Sequence, residues 1–251
     1  MKTSKLLFLL TLVLSINLSV IAQDEVSQRE VIALLELKAK TKGHMWTHQW
    51  DQTKPIATWH GVTVKDGKVV GLDLSNNNLQ GKIPLTIGNL KHLEHLDLSD
   101  NKIAGKMPKL FNKLQDLKTV DLAGNQLTGE LPSSINKLRS LQELNLANNN
   151  LDGQLPSSIT ELSKLTTLAV ANNDFNGIMP DGMENMKKLK RLYIANNEFA
   201  NLNNLKVLAE QQLVFTDIDV NSSDYRAIDF TKSAEGLSKL KFEDDEDYDE
   251  Q

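Results

Sequence analysis

The stretch Leu72–Pro84 reads LDLSNNNLQGKIP, an apolar alternation followed by three asparagines, a glycine and a proline. Alternation places Leu72 and Leu74 on one face of a short strand and Asp73 on the other. The polar run, Gly81 and Pro84 then mark a chain that turns and returns extended, since glycine adopts turn angles and proline fixes φ.

The stretch recurs. Apolar residues in the order L-x-x-L-x-L-x-x-N-x-L restart at Val69, Leu93, Leu117, Leu141, Leu165 and Leu189, a period of 24 without a slip. Six copies in register are a leucine-rich repeat signature. The first, fourth and sixth positions, such as Leu93, Leu96 and Leu98, supply the inward side of a strand. The ninth is asparagine throughout (Asn77, Asn101, Asn125, Asn149, Asn173 and Asn197), whose amide satisfies backbone groups that a turning chain buries. Gly81, Gly105, Gly129, Gly153 and Gly177 follow, then Pro84, Pro108, Pro132, Pro156 and Pro180. Ile87, Leu90, Ile135 and Leu138 close the coils from the convex side. The expected fold is an α/β leucine-rich repeat solenoid: a curved right-handed coil with parallel β-strands on its concave face, a helical N-terminal cap, about six regular 24-residue repeats and one degenerate closing repeat.

A stack of coils needs a lid at each end. Upstream, Val31, Leu34, Leu35 and Leu37 have helical spacing and lead to Trp46, Trp50 and Trp59, all the tryptophans of the chain. Downstream, LVFTDIDVN from Leu213 keeps Leu213, Ile218 and Asn221 in register but has Thr216 at a leucine position, as a degenerate strand would. Met1–Ala22 carries Lys2 and Lys5 before an apolar run, the pattern of a secretory signal, either cleaved or retained as an anchor. The expected division is 1–22 signal peptide, 23–68 N-terminal cap, 69–212 repeats, 213–242 degenerate repeat and cap, and 243–251 acidic tail.

There is no cysteine among the 251 residues, which excludes disulfides and thiolate chemistry. The formal charge is −5, but seven acids sit in the last nine residues. The 33 acids less those seven, and the 28 bases less the two signal lysines, leave 26 of each. A neutral body gives no electrostatic reason to expect nucleic acid or an anionic membrane as partner, and no stable membrane insertion is expected once the signal is cleaved.

ALLELK (33–38), TWHGVTVKDGKVVGLDLSNNNLQGKIP (58–84) and the coils after them resemble the extracellular leucine-rich repeat domains of plant receptor-like kinases and polygalacturonase-inhibiting proteins. The likeness covers Glu25 to about Asn204. In the plant form a cysteine pair flanks the W-x-G-V element, where this chain has Ala57 and Val64, so the resemblance is nearest in style to cysteine-free secreted bacterial versions. The signal pattern at Met1–Ala22 points to a location that is secreted or at the cell surface, periplasmic for a Gram-negative source. A repeat scaffold with variable outward positions and no catalytic set points to recognition of a protein ligand, with a glycan-binding adhesin or an inhibitor of a wall-degrading hydrolase as the alternative.

Binding on such a scaffold belongs to the outward strand positions, which vary without harming the core. The fifth position reads Asp73, Asp97, Asp121, Asn145, Ala169 and Tyr193; the third reads Gly71, His95, Thr119, Glu143, Thr167 and Arg191. With Glu94, Asp100, Lys118 and Lys190 from flanking positions, the surface is acidic toward its N-terminal end and basic, with an aromatic, toward its C-terminal end. The expected binding residues are Asp73, His95, Asp97, Asp121, Glu143, Asn145, Lys190, Arg191 and Tyr193, with Ala169 and Ala171 as an accessible floor beside the last three. Arginine and tyrosine favour interface hot spots, and the coil needs neither. His44, His48, His60, His92 and His95 lack a metal-ligand spacing, and no nucleophile motif or phosphate loop stands out, so no catalytic residue, metal or cofactor is expected. Lys82, Lys91, Lys106, Lys109, Lys113, Lys137 and Lys164 lie off the strands, where they serve solubility.

Overall fold

Leucines at the first, fourth and sixth positions of each coil enter one continuous core: Leu93, Leu96 and Leu98, or Leu141, Leu144 and Leu146, are at most 1% exposed. The computed structural model of the chain describes residues 26–201 and 215–217. Between those leucines the backbone forms short strands at β2 (Lys68–Asp73), β4 (His95–Asp97), β6 (Thr119–Asp121), β8 (Glu143–Asn145), β10 (Thr167–Ala169), β12 (Arg191–Tyr193) and β14 (Phe215–Asp217). They stack in parallel, and β1 (Val62–Lys65) pairs antiparallel with β2, giving an eight-stranded sheet. Each parallel pair is offset by 24 residues, as in Leu72 opposite Leu96 and Leu168 opposite Leu192, so like positions form columns.

Every coil has a second edge. A six-stranded sheet joins β3 (Gln80–Gly81), β5 (Lys102–Gly105), β7 (Gln126–Gly129), β9 (Asn150–Gly153), β11 (Asp174–Ile178) and β13 (Glu198–Asn201). Sequence patterning gave turns here and no sheet. At the C-terminal end of β7, Gly129 has φ +78°, a conformation that a side chain strains. The return segments then form 3-10 helices at Leu85–Asn89, Lys109–Lys113, Ser133–Lys137 and Ser157–Glu161, each opened by an extended proline. That proline fixes φ and also supplies the first carbonyl, accepting from Ile87 N at 3.2 Å and from Ile135 N at 3.0 Å. The fifth coil departs from this scheme. Its helix, Met183–Asn185, follows Gly182, and Met179, Met183 and Met186 replace the branched residues in the core.

The asparagine column carries the bond network that ties the coils together. Asn125 Nδ2 donates to the carbonyls of Leu98, Leu122 and Ala123 at 2.9–3.1 Å, while its Oδ1 accepts from Ile103 N at 3.0 Å. Asn101, Asn149, Asn173 and Asn197 repeat this pattern one coil apart. Each asparagine thus bonds within its own coil and to the coil before it.

The first coil has no predecessor, and the N-terminal segment supplies the missing partners. Helix α1 (Gln28–Lys40) starts at a capping box of Ser27 and Glu30 and buries Val31, Leu34, Leu35 and Leu37. Glu30 is only 5% exposed because its other oxygen accepts from Val69 N at 3.1 Å. Thr41 O accepts from Gln80 N at 3.0 Å, and Asn77 exchanges bonds with the backbone of His48. Trp46 meets Trp50 edge-on at 4.9 Å, and Trp50 stacks on Trp59 at 4.8 Å. All three indoles are buried, with Nε1 donating to Thr41 O, His60 O and Lys54 O respectively.

Candidate functional site

The outward side chains of the eight-stranded sheet form two columns set by strand register, at spacings of about 4.8 Å. Asp73, Asp97, Asp121, Asn145, Ala169 and Tyr193 align in one, and Gly71, His95, Thr119, Glu143, Thr167 and Arg191 in the other. The sheet therefore brings eight of the nine expected binding residues onto its strands. The ninth, Lys190, directly precedes β12.

The fifth-position column also serves the fold. Asp73 Oδ1 accepts from Ser75 N and Oγ, and Asp97 Oδ1 from Ser99 N and Oγ, at 2.6–3.1 Å. Asp121 Oδ1 accepts from Ala123 N at 2.9 Å, and Asn145 Oδ1 from Ala147 N at 3.2 Å. These Asx turns start the bend that the next position completes. There the chain takes positive φ at Asn76, Asp100, Gly124, Asn148, Asn172 and Asn196, with residue types suited to it. Asp121 is half-buried and accepts from Asn145 Nδ2 at 2.9 Å on its second oxygen. Burial pushes its carboxyl above the ordinary aspartate range, Asp97 and Asp100 add to that, and the bonds from Ala123 and Asn145 oppose it.

The third-position column is more varied and more exposed. Arg191 spans three strands: Nε donates to Thr167 Oγ1 at 2.9 Å, and the guanidinium reaches Glu143, two strands away, at 3.1 Å. Tyr193 is half-buried beside it, while Lys190 has no ion pair among the described residues. The small residues there are a correction to the sequence reading. Ala169 is 7% exposed and Ala171 3%, so they form no accessible floor. Toward the other end Lys118 pairs with Glu94, and that hydrogen bond holds the Glu94 carboxyl below the usual range. Two opposite-charge pairs thus cancel within the surface. Asp73, Asp97 and Asp121 have no basic partner among the described residues, so an acidic N-terminal half persists.

Sequence reasoning missed a hollow of about 390 Å³ at that end, lined by Thr63, Val70, Gly71, Asp73, His95 and Asp97 among others. The signal was legible in retrospect. Gly71 is the single glycine of its column, and a Cβ there would lie 3.0 Å from Thr63 Cβ on β1. His95 Nδ1 lies 2.9 Å from Thr119 Oγ1, and the His48 and His60 rings pack on each other 4.4 Å apart. Among the described residues there is no cluster of histidine and carboxylate able to hold a metal ion, and no helix long and apolar enough to cross a membrane.

Comparison with known proteins agrees with this architecture. Models for a leucine-rich repeat region and for the leucine-rich repeat match residues 112–242, just over half of the chain, and residues 68–90 and 92–114. Receptor-like protein 36 of Arabidopsis thaliana is 42% identical over 64 residues, which are 26% of this chain and 8% of that protein. The chain therefore corresponds to a small part of this curated relative. The Arabidopsis receptor kinase HAESA, solved with the peptide hormone IDA and the co-receptor SERK1, superposes with a TM-score of 0.68 at 27% identity over 77% of this chain and 33% of that one. A plant ice-binding protein superposes with a TM-score of 0.70 over 78% of this chain and 64% of that one, a likeness of fold alone at 24% identity. The chain belongs to the leucine-rich repeat family and resembles plant receptor ectodomains.

Proposed function

We propose that this chain is a secreted, non-enzymatic recognition protein that binds another protein through the concave face of its eight-stranded sheet. The observation that carries the reading is the contrast between columns. The inward and ninth positions are uniform because every coil needs them, whereas the third position runs through glycine, histidine, threonine, glutamate and arginine on one continuous surface. Variation on a fixed scaffold is what recognition requires.

The complex of HAESA with a peptide hormone and a co-receptor supports a protein ligand. The binding set proposed is Asp73, His95, Asp97, Asp121, Glu143, Asn145, Lys190, Arg191 and Tyr193. In this reading 1–22 is the signal peptide, 23–68 caps the first coil, 69–212 are repeats, 213–242 close the stack and 243–251 form an acidic tail. The bonds from Glu30, Thr41 and His48 to the first coil support the cap. The signal, the stretch from 202 apart from Phe215–Asp217, and the tail lie outside the described residues.

The test is capture of partners from the extracellular fraction of the native organism, followed by a direct binding titration with the purified partner and a glycan array on the same preparation. A saturable protein complex supports the reading. Selective sugar binding without a protein partner replaces it with an adhesin, and substrate turnover lost on changing His44 or His48 replaces it with an enzyme.

A further inference from the structure

The hollow at the N-terminal end of the concave face lies beside the one glycine of the third-position column, against which the Thr63 side chain packs. Gly71 sits in register between Thr63 of β1 and His95 of β4, and the larger residues of its column resume at His95. Its floor is apolar, with Val70 half-buried and Leu72 fully buried, and its volume of about 390 Å³ is near the lower limit for ligand pockets, the size for one inserted side chain. Asp73 and Asp97 stand at its rim on neighbouring strands. Both spend Oδ1 on the serine two residues on, and neither Oδ2 meets a donor among the described residues. No lysine or arginine lines the hollow.

We propose that this hollow is a subsite for an arginine side chain presented by the protein partner, an assignment that rests on the concave-face reading above. The stem lies on the apolar floor between Thr63 and His95, and the guanidinium donates to the two unengaged Oδ2 atoms. A planar group with five donors addresses two carboxylates on adjacent strands at once, which a point-like ammonium does less well. His95 is steadied for this by its bond to Thr119. The opposite charges give the partner its direction along the stack, with the hollow at one end and Lys190, beside Tyr193, at the other.

The experiment is an amide-resolved NMR titration of the full chain with N-acetyl-arginine amide, N-acetyl-citrulline amide and calcium chloride. The variant is the double substitution Asp73→Asn with Asp97→Asn. Asparagine keeps the Oδ1 acceptor for the serine turns, as Asn145 does for Ala147 N, so the variant is expected to fold. The arginine amide is expected to give saturable shifts at Gly71, Thr63 and His95, with affinity falling at least about tenfold in the variant and citrulline giving none. Equal binding of citrulline, unchanged affinity in the variant, or saturation by calcium without arginine overturns the assignment. If these fail while Arg191→Glu with Tyr193→Ala still weakens the natural complex, the subsite alone falls; if both fail, the concave-face reading falls with it.

Discussion

Asn125 and Asp121 lie four residues apart in one coil, and both accept a backbone N–H, yet their positions behave differently along the chain. At the ninth position the residue is asparagine in all six coils; at the fifth it passes from aspartate through asparagine and alanine to tyrosine. The difference follows from bond count and burial. Asn125 is 8% exposed and uses both ends of its amide on four backbone groups in two coils. Asp121 is half-buried and closes one turn within its own coil, a role that Ala169 and Tyr193 omit at the same position. Uniformity marks what holds the stack, and variety marks what is free to recognise something else.

The sharpest way to break this contrast is Asn125→Ala. It leaves Ile103 N without its acceptor in the middle of the stack and takes one of two donors from each of the Leu98, Leu122 and Ala123 carbonyls, with an expected loss of about 2–3 kcal/mol in a denaturant titration. Asp121→Ala is expected to lose less, about 1 kcal/mol, the worth of one turn bond and the contact to Asn145. Equal losses at the two sites would erase the distinction between ladder and column. Arg191→Ala removes an exposed pair whose partners keep their water, so the change in stability is expected to stay within about 0.5 kcal/mol.

The smallest effect is one of pH. Because the Asp121 carboxyl is held above its ordinary value, the folded state binds the proton more tightly than the unfolded chain. Its ionisation therefore costs stability as pH rises through the window from 3.8, the ordinary value, up to its raised folded value. Wild type is expected to lose ground against Asp121→Asn across that rise in paired thermal melts. A wild type that gains on the variant there would show that the turn bonds outweigh burial.

Much of this architecture was legible in the chain because one coil's requirements repeat every 24 residues. The leucines, the asparagines and the prolines announce themselves by recurrence, and the columns follow from counting. The six-stranded sheet did not announce itself. Strands such as those around Leu127 and Leu151 keep a single inward leucine between polar neighbours, and two to five residues hold too little alternation to be read as a strand. The run of positive φ one place before the ladder was available as asparagine, aspartate and glycine at one position, though only backbone angles give it meaning. At the candidate surface, position was legible and contact was not. The reach of Arg191 to Glu143 crosses 48 residues of sequence and two strands of space, and the burial of Ala169 and Ala171 is a property of the assembled surface.

The most direct test of the central claim is the affinity of the natural partner for Arg191→Glu with Tyr193→Ala, measured beside Lys109→Glu with Lys113→Glu on a convex 3-10 helix. Both pairs lie outside the core, so circular dichroism should report an unchanged fold in each. Recognition by the concave face predicts that the first pair weakens binding at least about tenfold, about 1.4 kcal/mol, and that the second leaves it unchanged. Full binding by the first pair together with loss in the second would contradict the claim and move the site to the convex surface.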